Sequence, residues 1–195
     1  MLQRSYDGGM NPPHTRAPIQ VVEYNPEWAG QFRQLSDRIW PFVRDVALEI
    51  EHVGSTAVPG LAAKPVIDLD VVIASLRDVP LIVARLAQQG YEHQGNLAIE
   101  DREAFQAPEN QPPHHLYVCS RQSMALRNHL VLRDHLRAHP ADVAAYSRLK
   151  KQLAQQCGSD IGRYVAGKTG FILSILAQYE FPPACLESIR QANQK

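Results

Sequence analysis

Cysteine is scarce in this chain of 195 residues, and what there is does not pair. Cys119, Cys157 and Cys185 are odd in number, far apart and free of any CxxC spacing. That excludes a disulfide framework and a cysteine zinc site, and it suits a reducing compartment. An excess of one charge is missing too, with 20 Lys+Arg against 20 Asp+Glu. Dedicated nucleic-acid or membrane-surface binders usually carry a basic surplus, so neither kind of partner is expected. No run of about 18 apolar residues occurs, so no transmembrane helix is expected. The stretch Met1–Gln20 has no apolar centre, which removes a signal peptide and makes the cytoplasm the expected location. A GxSxG elbow and HExxH are both absent. Lysine is sparse as well, limited to Lys64, Lys150, Lys151, Lys168 and Lys195.

What remains is an ordinary globular composition, 45% apolar and 21% charged. The length allows a sizeable core without disulfides or metals. Residues 1–17, with Gly8, Gly9, Pro12 and Pro13, read as a tail. One domain is expected over 18–182, followed by a C-terminal tail over 183–195. Ile19–Tyr24 reads as a short strand. Asn25, Pro26 and Glu27 then open a helix with Trp28, Phe32, Leu35, Ile39 and Phe42 on one face, which Pro41 should kink or end. Leu48–Val53 and Val66–Ile73 have strand patterns, and a helix over Val79–Gln89 should be capped by Asp78 and stopped by Gly90. Two or three short strands are expected between Tyr91 and Ser120, of which His115–Cys119 is the clearest. From Ser123 the pattern is helical: to His139, then Ala141–Cys157, then Asp160–Tyr179. The fold class is therefore α/β (α+β), a mixed β-sheet flanked by helices with a C-terminal helical segment.

The segment 66–73 carries the chemistry. Side chains alternate along a strand, so Ile67, Leu69, Val71 and Ile73 form an apolar face. Asp68 and Asp70 share the other, about 7 Å apart. Two carboxylates on one central strand repel each other and resist desolvation, and a divalent cation such as Mg²⁺ is a natural compensation. It could serve in-line attack on a phosphoryl group. A bare Asp-x-Asp also suits a solvated strand face. Upstream, Gly54-Ser55 ends the preceding strand. A glycine lets backbone approach a phosphate, free N–H groups at a helix start attract anions, and Ser55 adds a donor.

A strand ending in Gly-Ser, a linker of a dozen or so residues and then apolar-Asp-apolar-Asp-apolar resembles the signature of the DNA polymerase beta-type nucleotidyltransferase superfamily. More narrowly, Glu51-His52-Val53-Gly54-Ser55-Thr56, Pro59-Gly60-Leu61 and Lys64-Pro65 through Asp70 are similar to the GrpB family. The similarity continues at Leu132-Arg133-Asp134-His135-Leu136-Arg137, Pro140, Tyr146, Leu149-Lys150, Tyr164, Lys168, Phe171 and Ile172. It covers roughly residues 19–180. The resemblance implies a nucleotidyltransferase-like fold, phosphate binding at Gly54 and Ser55, and metal binding with catalysis at Asp68 and Asp70. A similar domain is fused behind dephospho-coenzyme A kinase in some bacteria, which points toward nucleotide-like ligands. The superfamily's third carboxylate is not placed. In the strand His115–Cys119, many relatives read His-Leu-His, and this chain has Tyr117 at the second histidine. Glu100, Asp101 and Glu103 are further acids in the opaque stretch 94–113.

Other candidates each carry two readings. Lys64 and Lys168 either neutralise phosphate or are plain basic residues. His52 either fixes the Gly-Ser turn or joins the chemistry, and His115 is either structural or a base or ligand. Arg133 with Asp134 suits an ion pair joining helix to sheet. His135 and His139 have zinc spacing but no third ligand, which favours surface histidines. Three functions follow: metal-dependent nucleotidyl transfer from a nucleoside triphosphate, or a related small molecule, to an unknown small acceptor; a nucleotide-binding module without catalysis; or an interaction protein. Oligomeric state is not legible.

Overall fold

The computed structural model describes residues 17–193. The tail expected over 1–17 falls outside these except for Ala17, as do the last two residues. Ile19–Tyr24 does not form a strand. Val22 makes one isolated bridge to Ala63, with both backbone bonds at 2.9 Å. Lys64 and Pro65 come next, and proline's missing N–H prevents the ladder from growing.

Helix α1, Trp28–Val43, starts just after the expected Asn25-Pro26-Glu27 opening, and the Asn25 side chain accepts from the Glu27 N–H at 2.9 Å in the turn that leads into it. Pro41 lies inside its last turn, and the helix ends two residues later. Strand β1 is Ala47–Val53 and β2 is Ile67–Ile73, paired antiparallel. Helix α2 spans Val79–Ala87 and ends earlier than its periodicity suggests. Its expected cap, Asp78, makes no side-chain bond to the helix. Ser75 instead accepts from the Arg77 N–H at 3.3 Å and caps the short turn before it. Strands β3 (Glu92–His93), β4 (Arg102–Gln106) and β5 (His114–Ser120) complete a five-stranded sheet in the order β1-β2-β5-β4-β3. Only β2 and β5 are parallel; the other pairs are antiparallel. Helices α3 (Met124–Ala138), α4 (Pro140–Cys157) and α5 (Ile161–Leu176) follow. Pro183–Ala192, expected within a tail, forms a further helix, α6.

The period-two pattern of β2 decides which layer goes where. Ile67, Leu69, Val71 and Ile73 are all at most 1% exposed. They pack with Trp28, Leu35, Ile39 and Val43 of α1 and Ile82 and Leu86 of α2. Each of these side chains contributes about 1.5–3 kcal/mol by leaving water. The opposite face is left to the acids and to α3. A second cluster of Val58, Leu61, Leu136, Tyr146 and Ile175 ties the loop after β1 to α3, α4 and α5. Among the described residues no helix is long and apolar enough to cross a membrane.

Candidate active site

Register lays the site out in rows across the sheet. Asp68 pairs with Val53 on one side and His115 on the other; Asp70 pairs with Glu51 and Tyr117. Directly paired residues point to the same face, so these side chains share one surface. Asp68 lies at its open end, its side chain 26% exposed, with Oδ1 2.8 Å from His115 Nδ1. Asp70 is fully buried, with Oδ2 2.7 Å from His129 Nδ1 on α3. Burial disfavours a charge on His129, yet the Asp70 carboxylate outweighs this and holds the imidazole above its ordinary pKa.

Gly54 follows β1 at φ +70°, and a Cβ built there would lie 2.0 Å from Asp68 Oδ2. The glycine is therefore required by the aspartate packed against it, in a conformation that side chains disfavour. Ser55–Ala57 then makes one turn of 3₁₀ helix. Three side chains hold this turn and the strand end before it. His52 Nε2 shares a hydrogen bond of 3.1 Å with Thr56 Oγ1, and its ring stacks on Phe32 at 4.5 Å between centroids. Burial pushes the His52 pKa down to about 4, which keeps the ring neutral. Arg137 donates through Nε and Nη2 to the Ala57 carbonyl at 3.0 and 2.8 Å. Arg133 donates through Nη1 to the His52 carbonyl at 3.0 Å and to Glu51 Oε2 at 2.5 Å. Asp134 touches Arg133 only along the same helix, at 2.7 Å. The link from helix to sheet runs through Glu51, not through the expected partner.

One lysine reaches the turn from the helices, and a second acts electrostatically on it and on Asp68. Lys150, on α4, is 1% exposed, and its Nζ donates to Ser55 Oγ at 2.9 Å while lying 4.6 Å above the Tyr146 ring. Burial pushes its pKa down to about 6; Lys168 acts in the same direction and Asp68 against it. Lys168, on α5, lies 4.7 Å above the Tyr164 ring. Burial lowers its pKa to about 8, with Asp68 opposing and Lys64 adding. Lys64 is thus near enough to act on Lys168, but it makes no side-chain hydrogen bond to the Ser55 turn among the described residues.

The expected residues Gly54, Ser55, Asp68, Asp70, His115 and Lys168 are gathered in one place. Lys150 and His129 are additions that sequence reasoning missed, although each left a trace. Lys150 lies four residues after Tyr146 in an otherwise apolar stripe, and His129 lies four before Arg133, whose face meets the sheet. The third carboxylate on this surface is Glu51, in register with Asp70 and held by Arg133. Glu103 points to the other face, opposite Val118, and bonds His93 at 2.7 Å. Tyr117 occupies the β5 position beside Asp70, with the Arg102 guanidinium 4.5 Å from its ring centre, and burial pushes its phenol up to about 12. His135 is buried and bonded to Tyr179 and Asp142 at 2.7 and 2.8 Å, so it is neither a surface residue nor a zinc ligand.

Among the described residues no three of His, Cys, Asp and Glu form a chelating group. The donors nonetheless suit a hard divalent cation that takes the rest of its shell from water and phosphate. Asp70 Oδ1 is buried without any partner, which an approaching cation would satisfy.

The family model described as GrpB protein matches residues 18–178. The UPF0157 protein YqkA of Bacillus subtilis is 33% identical over 159 residues, 82% of this chain and 46% of YqkA. A dephospho-CoA kinase of Mycolicibacterium paratuberculosis is 29% identical over 178 residues, and the match spans 44% of that protein. The chain thus spans less than half the length of either relative. The crystal structure of the conserved protein GrpB from Enterococcus faecalis superposes with a TM-score of 0.75 at 32% identity, covering 86% of this chain and 98% of that one. The GLD-2/RNP-8 complex matches at a TM-score of 0.52 and 16% identity over 83% of this chain and 62% of that one, a likeness of fold alone.

Proposed function

This chain belongs to the GrpB family, and from that premise we propose that it binds a nucleoside triphosphate or a related small phosphate compound at the Gly54–Ser55 turn. The carrying observation is the convergence of Ser55, Lys150 and Lys168 beside Asp68, an arrangement of one donor and two amines suited to phosphate oxygens. In this reading Asp68 and Asp70 would hold Mg²⁺. The cation supplies charge neutralisation and in-line positioning of a phosphoryl group when bound. The chain's own residues orient and neutralise: Ser55 donates to the phosphate, Lys150 and Lys168 offset its charge, and Arg133 and Arg137 keep the turn in place. The reaction is transfer of a nucleotidyl group to a small acceptor, driven by positioning and electrostatics.

Thermal shift with each nucleoside triphosphate, with and without Mg²⁺, tests this on the native protein and on Asp68→Asn/Asp70→Asn. Ligand at a hundred times its Kd adds about 2.7 kcal/mol. For a domain of this size that raises Tm by about 5–10 °C. The rise should require Mg²⁺ and vanish in the double variant; no rise with any triphosphate overturns the reading.

A second reading, a nucleotide-binding module without catalysis, has its own support. Tyr117 stands beside Asp70, Glu51 is bound by Arg133, and both aspartates already hold imidazoles. Metal-dependent product formation would exclude it.

A further inference from the structure

The amine of Lys150 is buried beside the Ser55 turn with little to balance its charge. It is buried to 1% exposure, gives one hydrogen bond to Ser55 Oγ, and forms no salt bridge with an acid among the described residues. An ammonium has three donors, and burying one without a counter-charge is costly unless the group gives up its proton. The groups around it do not help. Lys168 on α5 acts on it as a like charge, and Lys64 acts on Lys168 in the same sense. Tyr146 on its own helix presents a ring face, and Tyr164 lies under Lys168. Ser55 on the turn is neutral. Asp68 on β2 is the one carboxylate that acts on Lys150, and His115 already holds it.

We propose, on the reading that Ser55 marks a phosphate site, that anion binding there is coupled to uptake of a proton by Lys150, so that affinity falls as pH rises. An anion on Ser55 supplies the counter-charge that the protein withholds. The charged amine binds the anion better than the neutral one, and by reciprocity the anion makes the amine more basic. With burial holding the free amine at about 6, it is mostly neutral at pH 7 in the empty protein. Between about pH 6 and the higher pKa of the complex, affinity drops by up to about tenfold per pH unit. Above about pH 8 the loss of the Lys168 proton adds to the decline.

Two measurements test this on the full chain without metal. Titration with sulfate, whose charge is constant across the range, should give a Kd roughly ten times weaker at about pH 7.5 than at about pH 6.5. Calorimetry with inorganic tripolyphosphate in two buffers of different ionisation enthalpy reads proton uptake directly. At about pH 7.5 the native protein should take up about one proton more than Lys150→Arg, whose guanidinium stays charged. The probe's own titration is common to both proteins and cancels in the difference. Equal uptake by native protein and Lys150→Arg, or a sulfate affinity flat with pH, overturns the coupling alone. If neither anion binds at any pH, the coupling is overturned as well, while the phosphate reading is decided separately by the Mg²⁺-dependent thermal shift.

Discussion

On the sheet side of the site each aspartate faces an imidazole, Asp68 with His115 and Asp70 with His129. On the helix side neither Lys150 nor Lys168 has an acid in salt-bridge reach among the described residues, and both amines are lowered by burial. One half is compensated within the protein; the other is left short of negative charge. Burying amines without a counter-charge costs stability, and the proposed anionic ligand would supply what is missing. Gly54 is the seam between the halves, since the turn that carries Ser55 passes directly over the Asp68 carboxylate.

The largest effect should come from breaking the seam. Gly54→Ala puts a methyl carbon at 2.0 Å from Asp68 Oδ2 in a positive-φ conformation. Denaturant unfolding should show a loss of about 3–5 kcal/mol, through combined backbone strain and overpacking. A loss below about 1 kcal/mol would mean that turn and aspartate separate easily, and that the two halves are independent.

Next comes a pair of substitutions with opposite signs. His129→Leu removes the partner of a fully buried carboxylate and should cost about 2–4 kcal/mol at neutral pH. Lys150→Met removes a buried amine with no counter-ion and should stabilise the empty protein by about 1–3 kcal/mol. If both changes destabilise to the same degree, the contrast between the halves is wrong.

The smallest effect is in pH. His52 is held at about 4 by burial, below its unfolded value of 6.5. Through that window the unfolded chain binds a proton that the folded chain refuses, so stability declines as pH falls from about 6.5 to about 4. His114, also lowered by burial, adds in the same direction. The His52 share should be about 1–3 kcal/mol, and His52→Gln should flatten the acid limb of a Tm-against-pH curve. An unchanged slope would remove His52 from the support of the turn.

The parts of this site that could be read in advance are those carried by one element. The two-residue period of β2 separates Asp68 and Asp70 from the apolar face in any fold with that strand central. Gly54 was legible as a special position through the close approach a glycine permits, and the structure adds that the Asp68 carboxylate packs against it. His129, Lys150 and Glu51 were not legible as site residues, because each owes its place to a partner on a distant element. A helical lysine reads as a solvated one until α4 is set against α5 and the turn after β1. Even the end of the chain shows this, where Pro183–Ala192 becomes a helix although its composition reads as a tail.

The sequence by itself therefore determined the family, the mixed α/β class, the facing of the acidic pair and the position of the Gly-Ser turn, since local period and local conformation suffice for these. Only the tertiary structure decided the charge balance around them. The Asp70–His129 pairing, the Glu51–Arg133 link and the burial of Lys150 against Ser55 join residues 59, 82 and 95 positions apart. Charge depends on distance and desolvation, and both are set only once the elements have packed.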